Sequence, residues 1–201
     1  MSPVERARAA LANEAARIIC ETGLMDYRLA KEKAAEVLPA ESAAGLPRNI
    51  EVRDAVLAYQ QVFGGQAFEQ QLTALRRKAI RVMRWLSAFR PRLVGGVLSG
   101  AIGLEPRQHD IQLHVFADAV EELDIHFLNQ GIDFETGAVR LQIQRGVYEE
   151  RPVCEFLFDG TPVAATVFSE RGGRQPPISS VEDAPIRRAS IKDIERLLGH
   201  A

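Results

Sequence analysis

Asp110, Gln112 and His114 alternate along the chain with Ile111, Leu113 and Val115. Side chains of a strand point to opposite faces with period two, so a strand here gathers the three polar residues on one face and turns the three apolar ones to a core. Polar side chains on a strand otherwise made for burial cost free energy unless solvent, a metal ion or a ligand meets them. The plainest reading is a strand with one face in water, which needs no function. The preceding stretch makes it a candidate site. Gly95, Gly96, Ser99, Gly100 and Gly103 crowd small residues after the strand that starts at Arg92, where backbone N–H groups can approach a phosphate with no side chain in the way.

This order of strand, Gly/Ser turn, loop and acidic strand resembles the active-site signature of the nucleotidyltransferase superfamily, the polymerase-beta-like fold, over about residues 85 to 170. In that family the turn holds the triphosphate and two carboxylates on the strand, in the pattern Asp-x-[Asp/Glu], bind divalent metal. Carried over, the resemblance assigns the turn to Ser99 and Gly100, in reversed order and with nine residues before Asp110, or to Gly95 and Gly96 with thirteen. Asp110 matches the first carboxylate. The second position holds Gln112, and His109 stands where the family often carries Ser. A later strand should supply a third carboxylate, yet Pro162 to Phe168 contains none, and the spacing does not select between Glu155 and Asp159.

The resemblance implies a Mg²⁺ or Mn²⁺ site built on Asp110, Gln112 and His114. Mg²⁺ is a hard cation held by carboxylate and phosphate oxygens, and an amide oxygen coordinates it without charge. Two-metal phosphoryl chemistry depends on that charge. The expectation is therefore a nucleotidyltransferase-like protein that binds a nucleoside triphosphate, with catalysis by Asp110 weakened or lost through Gln112. The alternative is a non-catalytic RNA- or protein-binding module on the same fold.

The elements that must position these residues are legible in the pattern. Ser2-Pro3-Val4-Glu5 opens a helix that should run to Thr22 and stop at Gly23. Asp26 caps a second helix through Leu38, Pro39 to Arg48 reads as a loop, Asn49 opens a third helix, and a fourth runs from about Ala67 to Phe89. After the central strands, Asp118 and Glu121 pattern as a capping box for a helix ending at Gly131, and Asp159-Gly160 marks a hairpin. Pro162 should hold the last strand at an edge. The fold class is α+β, with a helical N-terminal region at 1–65. A mixed sheet flanked by helices follows at 66–201, where Ser190 caps a last helix.

The fourth helix carries Arg76, Arg77, Lys78, Arg81 and Arg84, and no acid occurs from Arg76 to Arg92. Arg77, Arg81 and Arg84 share a face, which reads either as a solvated surface or, for Arg81 and Arg84, as part of a phosphate or RNA-backbone site. Arg171, Arg174, Arg187 and Arg188 could fold back over a bound phosphate. A net charge of −2 and a pI near 6.1 argue against coating nucleic acid by bulk charge. Cys20 and Cys154 form no metal spacing, and no apolar run reaches the roughly 20 residues that cross a bilayer, so a cytoplasmic protein with free thiols is expected.

Overall fold

The structure, a computed structural model, describes residues 2–24, 26–42, 45–102, 111–169, 173 and 175–199. The chain is an α+β protein that divides into two compact units, with the division between Gln71 and Leu72.

The first unit is helical. In α1 (Pro3–Thr22) the Ser2 hydroxyl accepts the Glu5 N–H at 3.2 Å, and the Glu5 carboxylate accepts the Ser2 N–H at 2.6 Å. Gly23 ends the helix in the left-handed region at φ 70°. Asp26 caps α2 (Tyr27–Val37) by accepting the N–H groups of Arg28 and Leu29 at 2.8 and 3.0 Å. Pro39 starts a short helix, α3 (Pro39–Ser42), where a loop was expected, because proline is pre-set for a first helical turn. In α4 (Asn49–Phe63) the cap position belongs to Arg48, whose N–H is taken by Glu51 at 2.7 Å, while Asn49 is already helical and accepts from Lys31 at 2.9 Å. α1 packs on α2 and α4, and Leu11, Ala15, Ala30, Ala34, Val52 and Val56 are fully buried, the alanines letting the helices approach closely.

The fifth helix, α5 (Gly65–Trp85), runs across the division and ends earlier than Phe89, which falls in a separate 3-10 turn, Ser87–Phe89. β1 (Arg92–Val94), α6 (Gly95–Ser99), β2 (Ile111–Phe116), α7 (Glu121–Gln130), β3 (Phe134–Gln144), β4 (Val147–Phe158), β5 (Thr161–Phe168) and α8 (Ile191–Gly199) complete the second unit. The strands form one sheet in the order β1-β2-β5-β4-β3, with β2 and β5 parallel and the other pairs antiparallel.

One face of the sheet is apolar and lies against helices. Leu93, Ile111, Leu113, Val115, Val163, Ala165, Cys154 and Phe156 on it are buried. Trp85 of α5 meets Phe156 and Phe158 at 5.8 Å and stacks on Phe127 of α7 at 5.5 Å. Burial pushes the Cys154 thiol up to about 12, with the Asp124 carboxylate adding to the shift, so it is an inert core group. Lys78 donates to the Asp159 carbonyl at 3.1 Å and to the Thr161 hydroxyl, tying α5 to the β4–β5 hairpin. Asp159 and Gly160 both have positive φ, 47° and 73°, as a tight hairpin turn requires.

Two sequence expectations change. β5 is the central strand, not an edge, and among the described residues Pro162 pairs with Leu157 of β4 near the start of the strand. α7 is opened by Glu122, which accepts the Ala119 N–H at 3.1 Å, instead of by an Asp118–Glu121 box.

The alternation along β2 makes a direct test. Leu113→Ala should cost about 2–5 kcal/mol in urea unfolding. Gln112→Ala, one residue away on the other face, should cost less than about 1 kcal/mol.

Candidate functional site

The second face of the sheet carries the polar residues of β2 among buried Val94, Val153, Ala164 and Phe168. Directly paired strand residues share a face, so the register assembles it in rows. Val94, Gln112, Ala164, Glu155 and Glu135 form one row, and Arg92, His114, Thr166, Val153 and Gly137 form the next. Gln112, Thr166 and Glu155 are half-buried and Arg92 is exposed. Gln112 and His114 therefore share a face opposite Ile111, Leu113 and Val115, each 0% exposed. Asp110, His109 and Gly103 lie outside the described residues, as do Arg171 and Arg174.

His114 is 4% exposed. Its Nδ1 accepts the Arg188 Nε–H at 2.9 Å, its ring lies 4.5 Å from that of Phe168, and burial, helped by the Arg188 charge, pushes its pKa down to about 3. The imidazole is thus neutral and carries its proton on Nε2. An exposed strand histidine was the expectation; what changes it is Arg188, which arrives from far along the chain. The guanidinium lies 5.2 Å from the Phe116 ring centre and 4.7 Å from that of Phe168, and Nη1 donates to the Gly173 carbonyl. Nη2 is buried with no acceptor, which costs on the order of 1–3 kcal/mol.

The glycine turn sits at the end of β1. Gly95 has φ 73° and Gly100 has φ 91°, conformations that only glycine adopts readily, and α6 forms the single helical turn between them. A Cβ on Gly96 would stand 2.4 Å from the Ala101 carbonyl oxygen, so closeness within the turn itself demands glycine there. Ser99 is exposed, and its hydroxyl makes only long contacts, 3.3 Å to the Gly96 carbonyl and 3.4 Å from the Ala101 N–H.

Of the expected metal ligands, Gln112 presents an amide on the polar face, and His114 has one ring nitrogen engaged by a guanidinium. No group of three His, Cys, Asp or Glu side chains able to hold a metal occurs among the described residues. Glu155 is the carboxylate that register brings into the Gln112 row, across Ala164; Asp159 belongs to the hairpin turn and pairs with Arg81 at 2.6 Å. The described part of the expected metal site is thus one amide and one carboxylate beside the row of Arg92 and His114, and Asp110, the first expected ligand, lies outside the described residues. Arg84 pairs with Glu195 at 2.9 Å, so both arginines of the expected α5 phosphate surface have acidic neighbours, while Arg77 is exposed. Those acids come from β4–β5 and α8, beyond the reach of helical spacing.

The residue that the sequence pattern did not single out is Arg92; Glu155 was one of two candidates for a third carboxylate, and strand register brings it, not Asp159, into the Gln112 row. Arg188 was noted for its charge, and its contact with His114 carried no sequence signal. Comparison with protein-family models, with curated proteins and with solved structures found no match. No helix among the described residues is long and apolar enough to cross a membrane.

The depressed histidine gives a pH signature. The unfolded chain takes up a proton near 6.5 and the folded chain only near 3, so this residue's contribution to stability is complete above pH 6.5. It falls by at most about 1.4 kcal/mol per unit as pH drops toward 3. His114→Asn keeps an acceptor for Arg188 but cannot titrate, so urea unfolding from pH 7.5 to 4.5 should show a shallower loss in the variant than in wild type. Parallel curves would show that the imidazole is not held neutral.

Proposed function

We propose that the protein is a nucleotidyltransferase-like protein that binds a nucleoside triphosphate at the glycine turn and the polar face of the sheet, with nucleotidyl transfer slow or absent. The observation that carries this reading is the placement of the Gly95–Gly100 turn at the end of β1, beside the strand on which Gln112 occupies the polar face. Val94, the last residue before the turn, is the direct cross-strand neighbour of Gln112. Backbone N–H groups of the turn supply the donors for phosphate oxygens, and the exposed Ser99 hydroxyl adds one more.

Gln112 supports binding over turnover. Its amide can donate to and accept from a ligand, and it brings no negative charge to hold Mg²⁺ against the triphosphate. The acceptor, if transfer persists, would be an RNA or a protein.

Calorimetric titration with ATP and GTP, in Mg²⁺ and in EDTA, tests this. Wild type should bind with affinities that differ by less than about threefold between the two conditions. Gln112→Asp adds a carboxylate on the polar face and should tighten Mg²⁺-dependent binding by about tenfold, or 1.4 kcal/mol. Strongly Mg²⁺-dependent binding and nucleotidyl transfer by wild type would show that the amide is tolerated in a working metal site. Absence of nucleotide binding by both proteins would remove the proposal.

A further inference from the structure

The β1 side of the sheet brings Arg92 and Arg188 to the neighbourhood of His114, Arg92 by register and Arg188 by a hydrogen bond. Leu93 and Ala189 form an isolated antiparallel bridge, each N–H donating to the other's carbonyl at 2.9 Å. Leu93 and Ala189 are buried, and the residues flanking them in sequence, Arg92 and Arg188, fall on the opposite, polar side. Arg92 is directly across the β1–β2 pair from His114, and Arg188 donates to the same imidazole. Arg90 adds a third cation near this point: its guanidinium lies 6.0 Å from the centre of the Phe116 ring that Arg188 also covers.

Among the described residues neither Arg92 nor Arg188 has an ion pair with a carboxylate, and the imidazole that accepts from Arg188 is neutral. Burial, and then the charge of Arg92, pull the Arg188 pKa down, the response expected of a cation held beside another cation in a half-buried place. The unused Nη2 of Arg188 is a donor without an acceptor. His114 and the Gly173 carbonyl hold the guanidinium in one orientation, which does not depend on a flexible stem.

We propose that Arg92 and Arg188 form a binding site for a phosphate group, as the inorganic ion or carried by a small phosphate ester. A tetrahedral dianion matches two cations and accepts from both guanidinium groups at once, whereas a planar carboxylate brings a single charge. The site lies one row along β2 from Gln112, about 7 Å away, and does not rest on the nucleotide reading, because it uses neither the glycine turn nor Gln112.

Titration with sodium phosphate against sodium chloride at matched ionic strength, followed by calorimetry and by thermal unfolding, tests the site. Wild type should bind one phosphate saturably and melt at higher temperature with it. Arg92 is exposed, so Arg92→Glu should fold. The new carboxylate can pair with Arg188, so the variant should melt no lower than wild type without phosphate, bind phosphate at least about tenfold more weakly, and lose the phosphate-dependent rise. Arg92→Lys, which keeps the charge and loses the fork, should bind between the two. Adenosine monophosphate separates the sources: tighter binding than inorganic phosphate assigns the site to an ester, and equal binding assigns it to the free ion. Phosphate binding of equal strength in wild type and Arg92→Glu, or none in wild type, would overturn the proposal.

Discussion

The second unit depends on β2 being two-sided. Ile111, Leu113 and Val115 have no exposed surface, and β2 lies between β1 and β5 with its apolar side fixed toward the core. A slip of one residue would put Gln112 and His114 among the apolar core groups in place of those three and break the contact of His114 with Arg188, so the register is held by the burial of Ile111, Leu113 and Val115. With the register held, the polar side chains have no choice of face. Val94 and Ala164 then flank Gln112, and Arg92 and Thr166 flank His114.

Chemistry on this face is constrained by charge more than by shape. Residue 112 is an amide, residue 114 is an imidazole kept neutral by burial and by Arg188, and the cations in that row are guanidinium groups. Such a surface favours anions and offers little to a hard divalent cation among the described residues. This is why phosphate binding is the common element of both proposals, and why metal-dependent transfer is the element most weakened by the residues at hand.

Legibility followed the range of the interaction. Helices were readable where a cap and a stop are local, as with Ser2, Glu5 and Gly23 for α1 or Ser190 for α8, where the structure adds that the Ser190 N–H donates to the Asp193 carboxylate at 2.8 Å. The Asp159-Gly160 hairpin was readable for the same reason. Pro162 does not mark an edge because the place of β5 between β2 and β4 is set by the sheet and not by the proline. The α5 arginines read as an uncompensated cationic face because Asp159 and Glu195 lie far away in sequence. The Gly95–Gly100 turn and the polar alternation of β2 were visible as patterns. Arg188 on His114, and Glu155 in the row of Gln112, required the tertiary register.

The most direct measurement is an amide NMR titration of the isotopically labelled protein with ATP. Binding on the polar face should perturb Gly95, Gly96, Ser99, Gly100, Gln112 and Ala164 most, in both EDTA and Mg²⁺. Perturbations centred instead on Arg77, Arg81 and Arg84 of α5 or on α4, or no perturbation at all, would contradict a nucleotide site on this face.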